Sequence, residues 1–186
     1  TTSINTTIAL YGDCSPEVIT VTNAWYAVGV GAAYVAFPAA ITTSVNICVG
    51  GSITLLDPTP GGSWSSGATT IAIIGSTSGI LDGLAAGTAP ITYSTGGLCR
   101  ATTTATVEAF PVAVISPAAS AIVCTGSTVL LTATTGVGFS YQWKLGGASI
   151  PGATSVTYNA PVGGNYTVVI TNSAGCGATS PMTVVT

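Results

Sequence analysis

Five cysteines, at positions 14, 48, 99, 124 and 176, are the side chains whose type and spacing promise covalent chemistry. Thiolate zinc sites want four ligands at short spacings such as C-x-x-C, often with histidine; the chain has neither that spacing nor any histidine. Oxidation to disulfides is the chemistry that remains. Cys48 opens "CVGGSITLL" and Cys124 opens "CTGSTVLL". At nearly equal separations there follow Cys99, in "GGLCRATTTATV", and Cys176, in "SAGCGATSPMTVV". The chain therefore repeats one supersecondary unit, and pairing within each repeat predicts the bridges Cys48–Cys99 and Cys124–Cys176. Each bridge would stabilise its module by up to about 4 kcal/mol by closing a long loop, and persistent disulfides place the protein outside the reducing cytosol. Cys14, in "YGDCSPEVITVTN", lacks a first cysteine of its own module. Residues 1–23 read as the last strand of a preceding repeat or as a strand that completes a neighbouring subunit, which leaves Cys14 intermolecular, or else unpaired as a small buried thiol.

Catalysis is hard to build from the other groups. There is no histidine to move protons near neutral pH, and the cations are Arg100 and Lys144 alone. Of the five carboxylates, Asp57 in "LLDPTP" and Asp82 in "ILDGLA" read as turn formers rather than a glycosidase pair. No D-x-D or EF-type loop would collect calcium. No enzyme activity, cofactor or metal is expected, and two isolated cations do not suit nucleic acid. The sequons at Asn5 and Asn165 read as accidental.

The elements that position these residues follow from composition. Charged residues are 4% of the chain, where about 25% is usual. In their place stand 32 Thr and 18 Ser, with 24 Gly and 10 Pro to turn the chain, a mixture that favours strands and predicts an all-β fold. With a net charge of -3 and a mean hydropathy of +0.68, a lone soluble molecule would stick to itself unless its surface were glycosylated or buried in an assembly. The apolar run "AWYAVGVGAAYVAFPAA" is broken by Gly and Pro and has no basic flanks, so it reads as a packing segment and the chain as not membrane-spanning.

Alternation assigns faces. In residues 139–145, Phe139, Tyr141 and Trp143 share one side of a strand and Ser140, Gln142 and Lys144 the other. Tyr166, Val168 and Ile170 repeat the pattern in "NYTVVIT", and Val129 and Leu131 in "STVLLTA". Six or seven short strands in some 75 residues, with a Trp on the third and a Tyr on the penultimate, suit a sandwich. The core aromatics are expected to be Trp64, Trp143, Tyr141 and Tyr166.

The stretch "YQWKLGGASIPGATSVTYNAPVGGNYTVVITNSAGC" resembles the immunoglobulin-like repeats of large secreted bacterial surface proteins, over roughly residues 111–186. It departs from antibody domains at Val168, which stands where the second core cysteine would be. Residues 41–109, through "GSWSSGATTIAIIGSTSGILDGLAAGTAPITYST", resemble the bacterial immunoglobulin-like family of intimin- and invasin-type adhesins. The expected architecture is an N-terminal extended, strand-forming arm over residues 1–40, followed by tandem immunoglobulin-like β-sandwiches over residues 41–109 and 110–186. The resemblance implies an extracellular, bacterial cell-surface location and a non-catalytic role.

The first expectation is a structural subunit of a pilus-like filament that polymerises with copies of itself by β-strand addition. Its interface would be drawn from Ile4, Ile8, Leu10, Val18, Val21, Trp25, Tyr34 and Phe37. The alternatives are a stalk repeat of a giant adhesin, monomeric in isolation, and a carbohydrate-binding module contacting cell-surface or matrix glycans through exposed Trp25, Trp64 or Tyr side chains.

Overall fold

A computed structural model describes residues 16–29, 38–41, 45–96, 99–118, 120–124 and 126–186. The chain divides into two compact units, residues 1–107 and 108–186. Each is built from strands whose side chains alternate between core and solvent.

The first described element is a helix, α1 (Pro16–Ala27). A strand had been expected here from the β-branched run "VITVT". Pro16, with φ preset and no N–H to lose, occupies the first helical position, and Ser15 and Glu17 on either side complete a helix-start signal. That local signal outweighs the weak strand preference of the branched residues.

Among the described residues seven strands follow: β1 (Val45–Cys48), β2 (Ser52–Thr54), β3 (Ser63–Ser66), β4 (Ala72–Ile74), β5 (Ile80–Gly83), β6 (Gly87–Gly96) and β7 (Cys99–Glu108). They form two sheets, ordered β1-β7-β6-β3 and β2-β5-β4. This is an immunoglobulin-like arrangement. The long β6–β7 hairpin pairs Gly87 with Val107 through Gly96 with Cys99, and its register sends Ala89, Ile91 and Tyr93 inward beside Ala105 and Val107. Leu81 of β5 and Trp64 of β3 complete the core. Gly79 sits in the turn before β5 at φ +66°, where an added Cβ would lie 2.3 Å from the Leu55 carbonyl oxygen, so glycine is required there.

Among the described residues the second unit has nine strands: β8 (Ile115–Ser116), β9 (Ser120–Ala121), β10 (Val129–Ala133), β11 (Ser140–Leu145), β12 (Ala148–Ser149), β13 (Thr157–Ala160), β14 (Gly164–Thr171), β15 (Gly177–Thr179) and β16 (Thr183–Val185). The sheets run β13-β10-β8 and β12-β11-β14-β16-β9, with β15 also on β14. Strand β9 joins β16 in parallel while the other pairings are antiparallel, a first strand that switches sheets as in immunoglobulin-like sandwiches. Gly146 and Gly147, both at positive φ, close the β11–β12 hairpin as a two-residue turn of the type whose twist suits paired strands. The core gathers Leu131, Trp143, Tyr166, Val168 and Ile170, each fully buried. Burying side chains of this size stabilises the unit by roughly 1.5–3 kcal/mol apiece.

Candidate interaction surface

The cysteines depart from the expected pairing. Cys48, Cys99 and Cys176 are disulfide-bonded, whereas Cys124 is a free, exposed thiol. Cys124 therefore does not bridge Cys176, and the fold explains why. Beside Cys124, the Val123 N–H donates to the Thr186 carbonyl at the far end of the last strand. Cys176 lies at the opposite pole, in the turn after β14, where its Sγ is 3.9 Å from the Glu108 carbonyl oxygen and Asn172 holds the Ala109 carbonyl. The strands between the poles exceed the roughly 7 Å of Cα separation that a disulfide spans.

The same reasoning corrects Cys48–Cys99. The Cys48 carbonyl and Val107 both approach the Cβ position of Gly83, at 3.1 and 2.9 Å. Cys48 thus sits near the end of β7 while Cys99 begins it, about 27 Å away at the rise of an extended strand. Neighbouring cysteines in the repeat occupy equivalent positions at opposite ends of a sheet, which spacing in sequence does not reveal. Cys14 lies outside the described residues.

The aromatic side chains are fastened by hydrogen bonds as well as packing. Trp143 donates from Nε1 to the Ser155 carbonyl at 2.8 Å and stacks on Tyr158, with ring centroids 5.9 Å apart. Tyr166 donates to the Val162 carbonyl four residues upstream at 3.0 Å, a tyrosine corner. Burial raises the Tyr166 pKa, the neighbouring Tyr158 adds to the rise, and the Val162 hydrogen bond opposes it. Tyr141, half-buried, donates to the Thr134 carbonyl at 3.2 Å. In the first unit, Trp64 packs on Tyr93 at 4.7 Å, and Tyr93 donates to the Thr59 carbonyl at 2.6 Å. Trp64 and Trp143, 6% and 0% exposed, cannot serve as sugar-stacking platforms.

The two turn carboxylates part company. Asp57 accepts from the Thr59 N–H at 2.8 Å, as an Asx-turn residue does. Asp82 is not in a turn: it lies in β5 and accepts from the Ser52 hydroxyl across the sheet. The turn expected in "ILDGLA" does not form at Asp82: β5 ends one residue later at Gly83, which is buried against Ile47 and Val107. Among the described residues no group of His, Cys, Asp and Glu could hold a metal ion. No described helix is long and apolar enough to cross a membrane.

Of the expected interface residues, Val18, Val21 and Trp25 fall on α1, with Val21 and Trp25 half-buried and four apart on one face. Ile4, Ile8, Leu10, Tyr34 and Phe37 lie outside the described residues. What the sequence reading missed is the outer surface of the sandwiches. Ile73, Ile80 and Leu84 stand 42–49% exposed on the outward side of the β2-β5-β4 sheet, around Asp82. Leu130 is 56% exposed on the outer face of β10, which separates β8 from β13. The alternation that hides Ala72 and Leu81 requires Ile73 and Ile80 to face outward, a signal present in the sequence.

Each sheet ends in edge strands, β2 and β13 among them. Among the described residues β2 pairs only with β5, and β13 only with β10. Neither strand carries a charge or a proline, the devices that ordinarily blunt an edge.

No protein-family model matches the chain, and no curated protein matches it in sequence. Solved structures with similar folds include the N-terminal four Ig domains of Dscam1 isoform 4.44, at 18% identity and a TM-score of 0.37, covering 80% of this chain and 45% of that one. Another is the titin I-band fragment I67–I69, at 13% identity and a TM-score of 0.42, covering 80% of this chain and 64% of that one. A third is the Ig1-2 module of Drosophila receptor protein tyrosine phosphatase DLAR, at 17% and 0.31, covering 80% and 97%. The chain spans less than half of the Dscam1 structure. The strand order and register above define the immunoglobulin-like fold.

Proposed function

We propose that this protein is a non-catalytic extracellular structural or adhesion module, and that at the bacterial surface it forms a pilus-like filament by β-strand addition between copies of itself. The observation that carries this reading is that edge strands such as β2 and β13 carry neither charge nor proline, on a molecule with seven ionisable Asp, Glu, Lys and Arg side chains in 186 residues. Disulfide bonds at Cys48, Cys99 and Cys176 support an oxidising location. The resemblance of residues 41–109 to intimin- and invasin-type modules supports a bacterial one. With so few charges, electrostatic repulsion between copies is weak, and contact is governed by apolar and main-chain groups.

Electron microscopy of purified full-length chain tests the proposal. Regular fibres are expected; dispersed single particles at every concentration would instead match a stalk repeat.

A further inference from the structure

We infer that the outer edge of β13, with the groove beside it, is the acceptor for a strand from a second copy, formed by residues 3–10. This rests on the assembly reading above and names the receiving site. The main chain carries the argument. The Ala133 N–H donates to the Val156 carbonyl at 2.8 Å, which sets the phase of the β10–β13 ladder. In an antiparallel pair, alternate residues turn their N–H and C=O groups toward the partner. Val156, Tyr158 and Ala160 face β10, so Thr157 and Asn159 direct theirs to the open side. Among the described residues no main-chain partner meets them there.

The segment that crosses between the sheets at this side, residues 150–156, forms no strand to cover that edge. It stays on β11 instead: the Ile150 N–H donates to the Trp143 carbonyl, and the Trp143 N–H donates to the Ala153 carbonyl. A cavity of about 300 Å³ opens between, lined by Ile150, Pro151, Ala153, Tyr158 and the outward-facing Thr157 and Asn159. Tyr158 stacks on Trp143, which gives the wall a fixed position. Two outward donor–acceptor pairs spaced i, i+2, next to a hollow, are what strand addition uses: hydrogen bonds for affinity and a pocket for a side chain.

The occupant is argued from pattern and charge. Residues 3–10 read S-I-N-T-T-I-A-L, which places Ile4, Thr6, Ile8 and Leu10 on one face at strand period. The segment is uncharged, as are residues 146–163 around the groove, so neither side desolvates an ion.

The test uses full-length protein and a synthetic peptide of residues 1–12. Amide exchange should show the Thr157 and Asn159 N–H groups protected by the peptide. Asn159→Pro removes one outward donor while leaving the β10 ladder whole, and should weaken both peptide binding and assembly about tenfold. Thr157→Lys should do the same by placing a charge on the edge. Circular dichroism and melting temperature report whether either variant is folded, and the peptide experiment on the unaltered chain does not depend on them. Protection elsewhere, or none, overturns the site. If the peptide protects Thr157 and Asn159 yet the unaltered chain never assembles, the acceptor stands and the filament reading falls.

Discussion

Tyr166 and Trp143 hold the second sandwich together from its middle. Trp143→Ala removes a fully buried ring and is expected to cost about 3–5 kcal/mol. Tyr166→Phe removes one hydrogen bond and leaves the Val162 carbonyl short of a partner, for about 1 kcal/mol. The raised Tyr166 pKa sets a direction with pH. Above the ordinary value of 10.0 the unfolded chain loses the phenolic proton while the folded one retains it, so the contribution is complete below pH 10 and is lost as pH rises. Urea midpoints at neutral and alkaline pH should fall less for Tyr166→Phe than for the unaltered chain; equal falls would contradict this. Cys124 should be alkylated by iodoacetamide in folded, unreduced protein, which peptide mapping reads directly. An unlabelled Cys124 would contradict its being a free exposed thiol.

At the scale of elements, turns matter unequally. Gly79→Ala meets both a positive φ and the Leu55 carbonyl, and is expected to cost about 2–3 kcal/mol. Gly146→Ala has open space around its Cβ and should cost about 1 kcal/mol, the left-handed backbone alone. Thermal melts of the two variants compare them; equal losses would mean the Leu55 contact is relieved by movement of the backbone. Most strands were legible because alternation reports burial: "YQW", "YTVVI" and "STVLL" face as their periods demand. The helix was not, because "VITVT" satisfies strand preference and the decisive signal is the single Ser-Pro-Glu start. Asp82 was misread because "DG" suggests a turn, whereas β5 runs through Asp82 and ends at Gly83. The disulfides were misread because sequence spacing shows which cysteines are equivalent, but not which end of a sandwich each occupies.

For the whole molecule, the scarcity of charge links composition to behaviour. It was legible from the first residue count, whereas which strands stand at sheet edges emerges only from sheet order. Association driven by apolar and main-chain contact should change little with added salt, since there are few ion pairs to screen. Reducing the disulfides should lower stability by about 2–4 kcal/mol per bridge. The measurement that bears most directly on the account is sedimentation velocity of full-length, oxidised protein over a wide concentration range, in low and high salt. The account predicts boundaries that grow with concentration and are insensitive to salt. A single monomeric boundary throughout would contradict it.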